Sequence, residues 1–84
     1  MITLLYFARL RETFGLSSER VNLPAYVADV RSLTEWLRQR GGAWQEELGQ
    51  DRLVRVAVNQ DMAAPDSAVH DGDEVAFFPP VTGG

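Results

Sequence analysis

The segment covering residues 2–7 constrains the fold of this chain more than any other stretch. In an extended strand, successive side chains point to opposite faces of the sheet. Ile2, Leu4 and Tyr6 therefore share one face, and Thr3, Leu5 and Phe7 share the other. Because both faces are largely apolar, the segment predicts a central strand. The chain has 84 residues and no cysteine, so a small core must hold the domain together without a disulfide.

One amphipathic helix is predicted after Asp29, whose carboxylate can accept hydrogen bonds from the free amides of a first helical turn. The residues that then recur at helical spacing are apolar, namely Val30, Leu33, Trp36 and Leu37. The pair Gly41-Gly42 predicts the C-terminal stop, and Trp44 with Leu48 indicates a short second helical turn. Since the helix has a single apolar stripe, we expect it to lie across one face of a sheet.

Three further strands are predicted, at residues 19–23, 53–58 and 74–78. Pro24 ends the first of them, and Asp71-Gly72-Asp73 forms a turn before the last. Residues 9–15 are predicted as a loop, and residues 59–61 as a turn. Strand, strand, helix, strand and strand in so short a chain predict an α+β fold, with one main helix packed on one face of the sheet.

Composition excludes several classes of function. Twelve acidic against eight basic residues give a net charge of −4, which disfavours binding to nucleic-acid phosphates. The absence of cysteine excludes a thiolate nucleophile and a cysteine zinc site. His70 has no nucleophile in a catalytic pattern, and the acidic residues around it lack the spacing of a calcium loop. The chain alone is therefore predicted to be no catalyst and to bind no metal.

Two further features bear on location and on conjugation. The N-terminal residues have no basic region and no long apolar stretch, which predicts neither a signal peptide nor a membrane span, and so a cytoplasmic protein. All eight basic residues are arginine, so the chain cannot build polymers of itself through lysine side chains.

The C-terminal residues carry the strongest functional indication. Pro79 and Pro80 end the last strand, because proline donates no ladder hydrogen bond, and they favour an extended spacer. Residues 79–84 reach roughly 20 Å at about 3.3 Å per residue. Gly83 and Gly84 lack Cβ atoms, so a narrow channel can close around their backbone. The pattern predicts a terminus whose Gly84 carboxylate is activated inside another protein, since a free carboxylate resists nucleophilic attack.

The chain resembles the small subunits of molybdopterin synthase, a family of ubiquitin-like sulfur carriers. The resemblance is carried by residues 2–8, by Arg11-Glu12, by residues 57–60 and above all by residues 71–84, which read DGDEVAFFPPVTGG. Residues 17–50 contribute little beyond the position of the helix. The resemblance implies a β-grasp fold with a mixed sheet over residues 1–78, followed by an extended functional tail over residues 79–84.

The resemblance also implies a reaction cycle. An activating enzyme similar to ubiquitin-activating enzymes would use MgATP to adenylate Gly84, and sulfur would then replace the adenylate to leave a thiocarboxylate. The large synthase subunit would use that sulfur to build the dithiolene on cyclic pyranopterin monophosphate, in an assembly of two small and two large subunits. The tail residues expected to enter the partners' active sites are Pro79, Pro80, Val81, Thr82 and Gly83. No cofactor is expected to be bound by the chain itself.

A partner interface is predicted beside the tail. Strand alternation places Phe7 and Phe78 on the sheet face away from the helix, and Met62, in a turn region, can join them. An exposed apolar patch is unfavourable unless partners cover it. Aromatic anchors with an adaptable methionine suit a surface that binds two different proteins in turn. Phe7, Phe78 and Met62 are therefore predicted to contact partners, with Arg11 at the rim.

Three alternatives stay open on sequence grounds. A sulfur carrier for thiamine thiazole formation would share the Gly-Gly ending, although such carriers tend to be shorter and usually lack the block at residues 77–82. A ubiquitin-like modifier would join its terminus to target amines. A pure interaction module would have an inert tail. The sulfur source and the choice between molybdenum and tungsten also stay open.

Overall fold

The computed structural model describes residues 1–49 and 53–79, which contain five strands and three helices. In chain order, the elements are β1 Ile2–Tyr6, α1 Arg9–Phe14, β2 Ser18–Val21, α2 Val30–Arg38, α3 Gly42–Glu47, β3 Arg55–Val58, β4 Asp61–Met62 and β5 Glu74–Phe78. None of these helices has both the length and the apolar character needed to cross a membrane.

The sheet is mixed, with the strand order β2-β1-β5-β3-β4. β1 and β5 run parallel, with Tyr6 opposite Phe77, while the other three neighbouring pairs are antiparallel. The prediction that residues 2–7 contain a central strand is thus confirmed. A parallel pair requires a long crossover connection, and the chain between β1 and β5 supplies it with α2. This arrangement agrees with the expected β-grasp fold.

The core lies between α2 and one face of the sheet. Buried and partly exposed side chains alternate along both β1 and β5, as strand geometry requires. The largest fully buried side chains come from these two strands and the helices, and they are Ile2, Leu4, Tyr6, Leu10, Leu33, Leu37, Val75 and Phe77. Trp36 and Trp44 pack against this cluster while partly exposed. The other face of the sheet has no helix over it in the described residues.

The start of α2 confirms the predicted cap. The Asp29 carboxylate accepts a hydrogen bond of 2.8 Å from the Ser32 amide, and the Ser32 hydroxyl accepts one of 3.2 Å from the Asp29 amide. Hydrogen bonds from Ser32, chiefly from its side chain, hold the pKa of Asp29 below its ordinary value. α2 ends at Arg38, before the predicted stop at Gly41-Gly42, and α3 then begins at Gly42, which confirms the short second helix.

The prediction of a loop over residues 9–15 is wrong, because Arg9–Phe14 forms α1. This helix is only six residues long and has no side-chain cap at its start, so the usual start signal is missing. Its end is marked by Gly15, whose φ of 76° lies in the left-handed region and whose amide donates to the Arg11 carbonyl. Leu10 and Phe14, one turn apart, are the only apolar pair that indicates the helix.

The strand predictions need three corrections. β4 was missed, because residues 59–61 were predicted as one turn. Asn59 and Gln60 alone form the loop, with φ values of 51° and 72°, and Asp61 already pairs with Val58. Positive φ at both loop positions is typical of a tight two-residue hairpin. β2 covers Ser18–Val21 rather than residues 19–23, and β3 begins at Arg55 rather than at residue 53. β5 has the predicted bounds.

Candidate functional site

The chain leaves the sheet at the end where β1 and β5 both terminate. β5 ends at Phe78, and Pro79 follows it half-buried. Because β1 and β5 are parallel, Phe7 lies at the same end, where its amide donates to the Phe77 carbonyl at 3.2 Å. The tail therefore departs beside Phe7. The predictions on Pro80, Val81, Thr82, Gly83 and Gly84 lie outside the described residues.

The sheet face away from α2 carries a continuous apolar row. Strand register places Leu5 beside Ala76, Ala76 beside Ala57, and Ala57 beside Met62. At about 4.8 Å per strand, this row spans roughly 14 Å across four strands. Phe7 and Phe78 follow it at the end from which the tail departs. We call Leu5, Phe7, Met62, Ala76 and Phe78, with the buried Ala57 between them, the sheet surface.

The predicted interface residues differ in exposure. Phe7 is 47% exposed and Met62 is 59% exposed, while Arg11 is exposed on α1. Phe78 lies on the expected face but is only partly exposed, so it contributes less to the expected exposed Phe-Phe-Met patch than Phe7 and Met62 do. Its strand neighbour Arg55 belongs to the same face. The structure thus brings Phe7, Phe78 and Met62 onto one surface, with Phe78 partly covered.

A strained turn links Phe7 to α1. The Leu10 amide donates to the Phe7 carbonyl at 3.1 Å, and Ala8 lies between them with φ 54° and ψ −130°. This backbone region favours glycine, and a residue with a Cβ is strained there. The turn lies directly beside the departure point of the tail. Sequence reasoning missed it, because alanine gives no local signal for such a conformation.

An ion pair connects the two short helices near this end of the sheet. One Arg9 guanidinium nitrogen lies 3.2 Å from a Glu47 carboxylate oxygen, without hydrogen-bond geometry. Glu47 is buried and belongs to α3, while Arg9 is half-exposed at the start of α1. A buried carboxylate requires a compensating charge, so this contact helps to hold α1, and with it the Phe7 turn, against α3.

A second polar cluster, formed by Tyr6, Glu19 and Arg40, holds the end of β1 through side-chain hydrogen bonds. The Tyr6 hydroxyl donates to Glu19 at 2.8 Å, and Arg40 donates two hydrogen bonds to the same carboxylate at 2.8 and 3.1 Å. The Arg40 guanidinium also lies 4.4 Å from the centre of the Trp44 ring. Sequence reasoning missed this cluster, since its members are far apart in the chain and no spacing relates them.

The cluster shifts the pKa values of its members. Burial, assisted by the Glu19 carboxylate, raises the pKa of the Tyr6 hydroxyl well above its ordinary value. For Glu19, burial alone would raise the pKa, but hydrogen bonds from Arg40 and Tyr6 outweigh it and leave the pKa lowered. At neutral pH the Tyr6 hydroxyl is therefore uncharged and donates a hydrogen bond, while Glu19 is an ionised carboxylate that accepts it. These protonation states suit a structural role, and we call Tyr6, Glu19 and Arg40 the clamp.

The described residues do not bring a catalytic constellation together. His70 is exposed near the opposite end of the sheet, with its Nδ1 atom 3.9 Å from an Asp73 oxygen. Among residues 1–49 and 53–79, no three His, Cys, Asp or Glu side chains lie close enough to hold a metal ion. What the described residues do present is an apolar surface beside a departing C-terminal segment.

Comparison with known proteins decides the family. The model of the ThiS family matches residues 4–84. The chain belongs to the ThiS family. Two curated relatives named molybdopterin synthase sulfur carrier subunit, from Haemophilus influenzae and Escherichia coli, are 42% and 40% identical over 84 residues. In both cases the alignment covers the whole of this chain and the whole of the relative.

Solved structures confirm the β-grasp fold of this ThiS-family chain. A putative molybdopterin converting factor subunit 1 from Pyrococcus furiosus is 36% identical, with a TM-score of 0.78 and coverage of 95% and 97%. The small archaeal modifier protein 1 of Haloferax volcanii is 32% identical, with a TM-score of 0.77 and coverage of 95% and 97%. A subunit 1 and 2 complex of the Helicobacter pylori molybdopterin-converting factor gives 23% identity, a TM-score of 0.66 and coverage of 99% and 97%.

Proposed function

We propose that this chain is the sulfur carrier subunit of molybdopterin synthase and that it carries the sulfur atom on the C-terminal carboxyl group of Gly84. The observation that carries the proposal is the full-length similarity to two curated subunits of that name. The Gly-Gly terminus and the departure of the chain beside an apolar surface support it. The chain has no catalytic role of its own in this proposal, and the synthase chemistry belongs to the large subunit.

The cycle begins at the Gly84 carboxylate. An activating enzyme transfers adenylate from MgATP to this carboxylate with release of pyrophosphate. A sulfur nucleophile then attacks the acyl carbon, AMP leaves, and the terminus becomes a thiocarboxylate. The large subunit transfers the sulfur to cyclic pyranopterin monophosphate, and hydrolysis returns the carboxylate. Two such deliveries build one dithiolene, which fits an assembly of two small and two large subunits. A cycle that consumes ATP fits a cytoplasmic location.

The sheet surface has the chemistry to bind these partners. Phe7 and Met62 are the exposed apolar anchors. Phe78 is partly exposed, so a partner can contact the part of its ring that the chain leaves uncovered. Arg11 is exposed on α1. Aromatic side chains at the centre of an interface contribute most of its binding free energy. The tail, Pro79 to Gly84, leaves from this surface, so a protein that covers Phe7 and Phe78 is positioned to receive it. The H. pylori complex of subunits 1 and 2 supports a large-subunit partner.

Intact mass spectrometry tests the first half of the cycle. After incubation with the activating enzyme, MgATP and a sulfur donor, we expect one oxygen atom of this chain to be replaced by sulfur. Deletion of Gly84 leaves the Gly83 carboxylate one residue short of the activating site, and addition of one alanine after Gly84 replaces the glycine carboxylate by an alanine carboxylate. Either change should abolish the exchange. A chain that lacks Gly84 and still acquires sulfur would contradict the assignment of the reactive atom.

One relative favours a second candidate function. The Haloferax protein is a small archaeal modifier by name and is 32% identical to this chain. A modifier would form an amide between Gly84 and an amine of another protein, which the same mass experiment detects as a covalent adduct. Formation of molybdopterin from its precursor by the charged chain and the large subunit would support the synthase assignment. Charging without this product would favour another sulfur pathway, such as thiazole formation.

A further inference from the structure

A groove lies at the β4 edge of the sheet. It has a volume of about 520 Å³ and runs between α2, the start of β3 and residues 62–65. The buried core residues Val30, Leu48 and Val56 form its floor, and the exposed residues Leu53, Met62 and Ala64 contribute to its apolar rim. The short β4 pairs only with Ala57 and Val58, which leaves Arg55 without a strand neighbour on that side. The groove therefore lies where β4 has already ended and no strand of the described residues pairs with Arg55 on that side.

The charged residues around this groove are mainly basic. Arg31, Arg38 and Arg55 line it, and Glu35 is the only acidic residue among the described residues that line it. Glu35 is already paired, since its carboxylate lies 3.0 Å from Arg38. Arg31 and Arg55 are exposed, and no carboxylate lies within 4 Å of either in the described ranges 1–49 and 53–79. In a chain of net charge −4, these two side chains concentrate unpaired positive charge at one site. We call this site the arginine groove.

The arginine groove is continuous with the sheet surface. Met62 lines the groove and also ends the apolar row of that surface. Arg55 lines the groove and stands beside Phe78 on the same strand pair. A protein that covers Phe7, Phe78 and Met62 can therefore also contact the groove through the same continuous interface. An apolar lining with unpaired arginines complements a peptide segment that combines an apolar side chain with carboxylates.

We propose that the arginine groove receives an acidic segment of the large synthase subunit, with an apolar side chain against the exposed Leu53 and the partly exposed Val54 and carboxylates at Arg31 and Arg55. This assignment rests on the proposed function, because it takes the large subunit as the partner of the sheet surface. It adds a second contact region, independent of the tail, that holds the carrier while its terminus is inside the partner.

Binding of the purified large subunit, measured by calorimetry at several salt concentrations, tests the proposal. Arg31 is the informative position, since it belongs to α2, which packs on the opposite face of the sheet from the sheet surface. Arg31→Glu should weaken binding by roughly five- to tenfold, because it removes one exposed ion pair and adds a repulsion. The salt dependence of the affinity should become shallower for this variant. Ala64→Trp, which fills the exposed rim of the groove, should weaken binding to a similar degree.

The matched control is Arg20→Glu, with the same charge change at an exposed position of the opposite edge strand β2. Arg20 lies beside Thr3, on the face of the sheet surface but at the end of the sheet away from Phe7 and Phe78. It should change the affinity less than twofold, and all variants should unfold at the temperature of the parent chain. Parent-like affinity of both Arg31→Glu and Ala64→Trp would overturn the groove assignment while leaving the proposed function intact. Self-association of the chain that Arg31→Glu abolishes would also overturn it, because a second copy would then occupy the groove. Absence of any binding by the parent chain would instead refute the proposed function.

Discussion

Two consecutive phenylalanines in β5 offer a sharp test of the site. Phe77 is fully buried and its ring lies 6.0 Å from the Tyr6 ring, whereas Phe78 is half-exposed on the opposite face. Truncation of a core phenylalanine to alanine costs about 3–5 kcal/mol. A domain of this length has a total stability of roughly 4–13 kcal/mol. Phe77→Ala should therefore remove a large part of the free energy of unfolding.

Phe78→Ala should behave in the opposite way. Full burial of a phenylalanine contributes about 1.5–3 kcal/mol, so the half-buried Phe78 should contribute about 1 kcal/mol to stability. As an aromatic anchor of an interface, it should contribute about 2 kcal/mol or more to binding, which is roughly a thirtyfold change in Kd. The same chemical change at neighbouring positions thus separates folding from recognition.

Urea unfolding followed by tryptophan fluorescence measures the first effect, and calorimetry with the large subunit measures the second. Phe7→Ala is a further control on the same surface, and it should weaken binding with a stability change below about 1 kcal/mol because its side chain is 47% exposed. If Phe78→Ala destabilises the chain as much as Phe77→Ala and leaves Kd unchanged, the assignment of Phe78 to the partner surface is refuted.

Four further outcomes follow from the described contacts. Tyr6→Phe should lower the free energy of unfolding by about 1.5 kcal/mol in urea titration, because a hydrogen bond to the Glu19 carboxylate is lost. The pKa of Glu19 is lower in the folded chain than in the unfolded chain, where it is about 4.3, and this difference stabilises the folded chain. The stabilisation is fully present above the unfolded pKa and is lost as the pH falls through the folded pKa. Glu19→Gln should therefore flatten the acid side of a curve of unfolding free energy against pH. Asp29→Ala should lower Tm while Asp29→Asn keeps most of it, since asparagine also caps helices. Gln60→Gly should raise stability by about 0.5–1 kcal/mol, because its φ of 72° favours glycine, and an unchanged Tm would contradict the strained hairpin.

Local sequence patterns were sufficient to predict an element wherever the residues that stabilise it lie within it or directly beside it. α2 has a capping aspartate and a regular apolar stripe, and both the cap and the buried face appear as predicted. β1 and β5 have the alternation and the turn residues that strands need, and their positions agree with the structure. The indication of a carrier tail likewise came from consecutive residues, because proline and glycine act through their own backbone chemistry.

Elements that depend on distant partners were not predictable in this way. α1 is stabilised by burial of Leu10 and by the Arg9–Glu47 pair rather than by a cap, and β4 exists because a two-residue turn returns the chain onto β3. The partial burial of Phe78 depends on its strand neighbours, which no spacing in the chain reveals.

The residues alone thus established the α+β class, the main helix and the face on which each strand residue lies, since these follow from backbone geometry over a few neighbouring positions. They also indicated the terminus that we propose a partner uses. Tertiary packing determined the strand order, the clamp formed by Tyr6, Glu19 and Arg40, the exposure of the sheet surface and the arginine groove. Each of these joins segments far apart in the chain, and their contacts form only when burial of the common core brings those segments together.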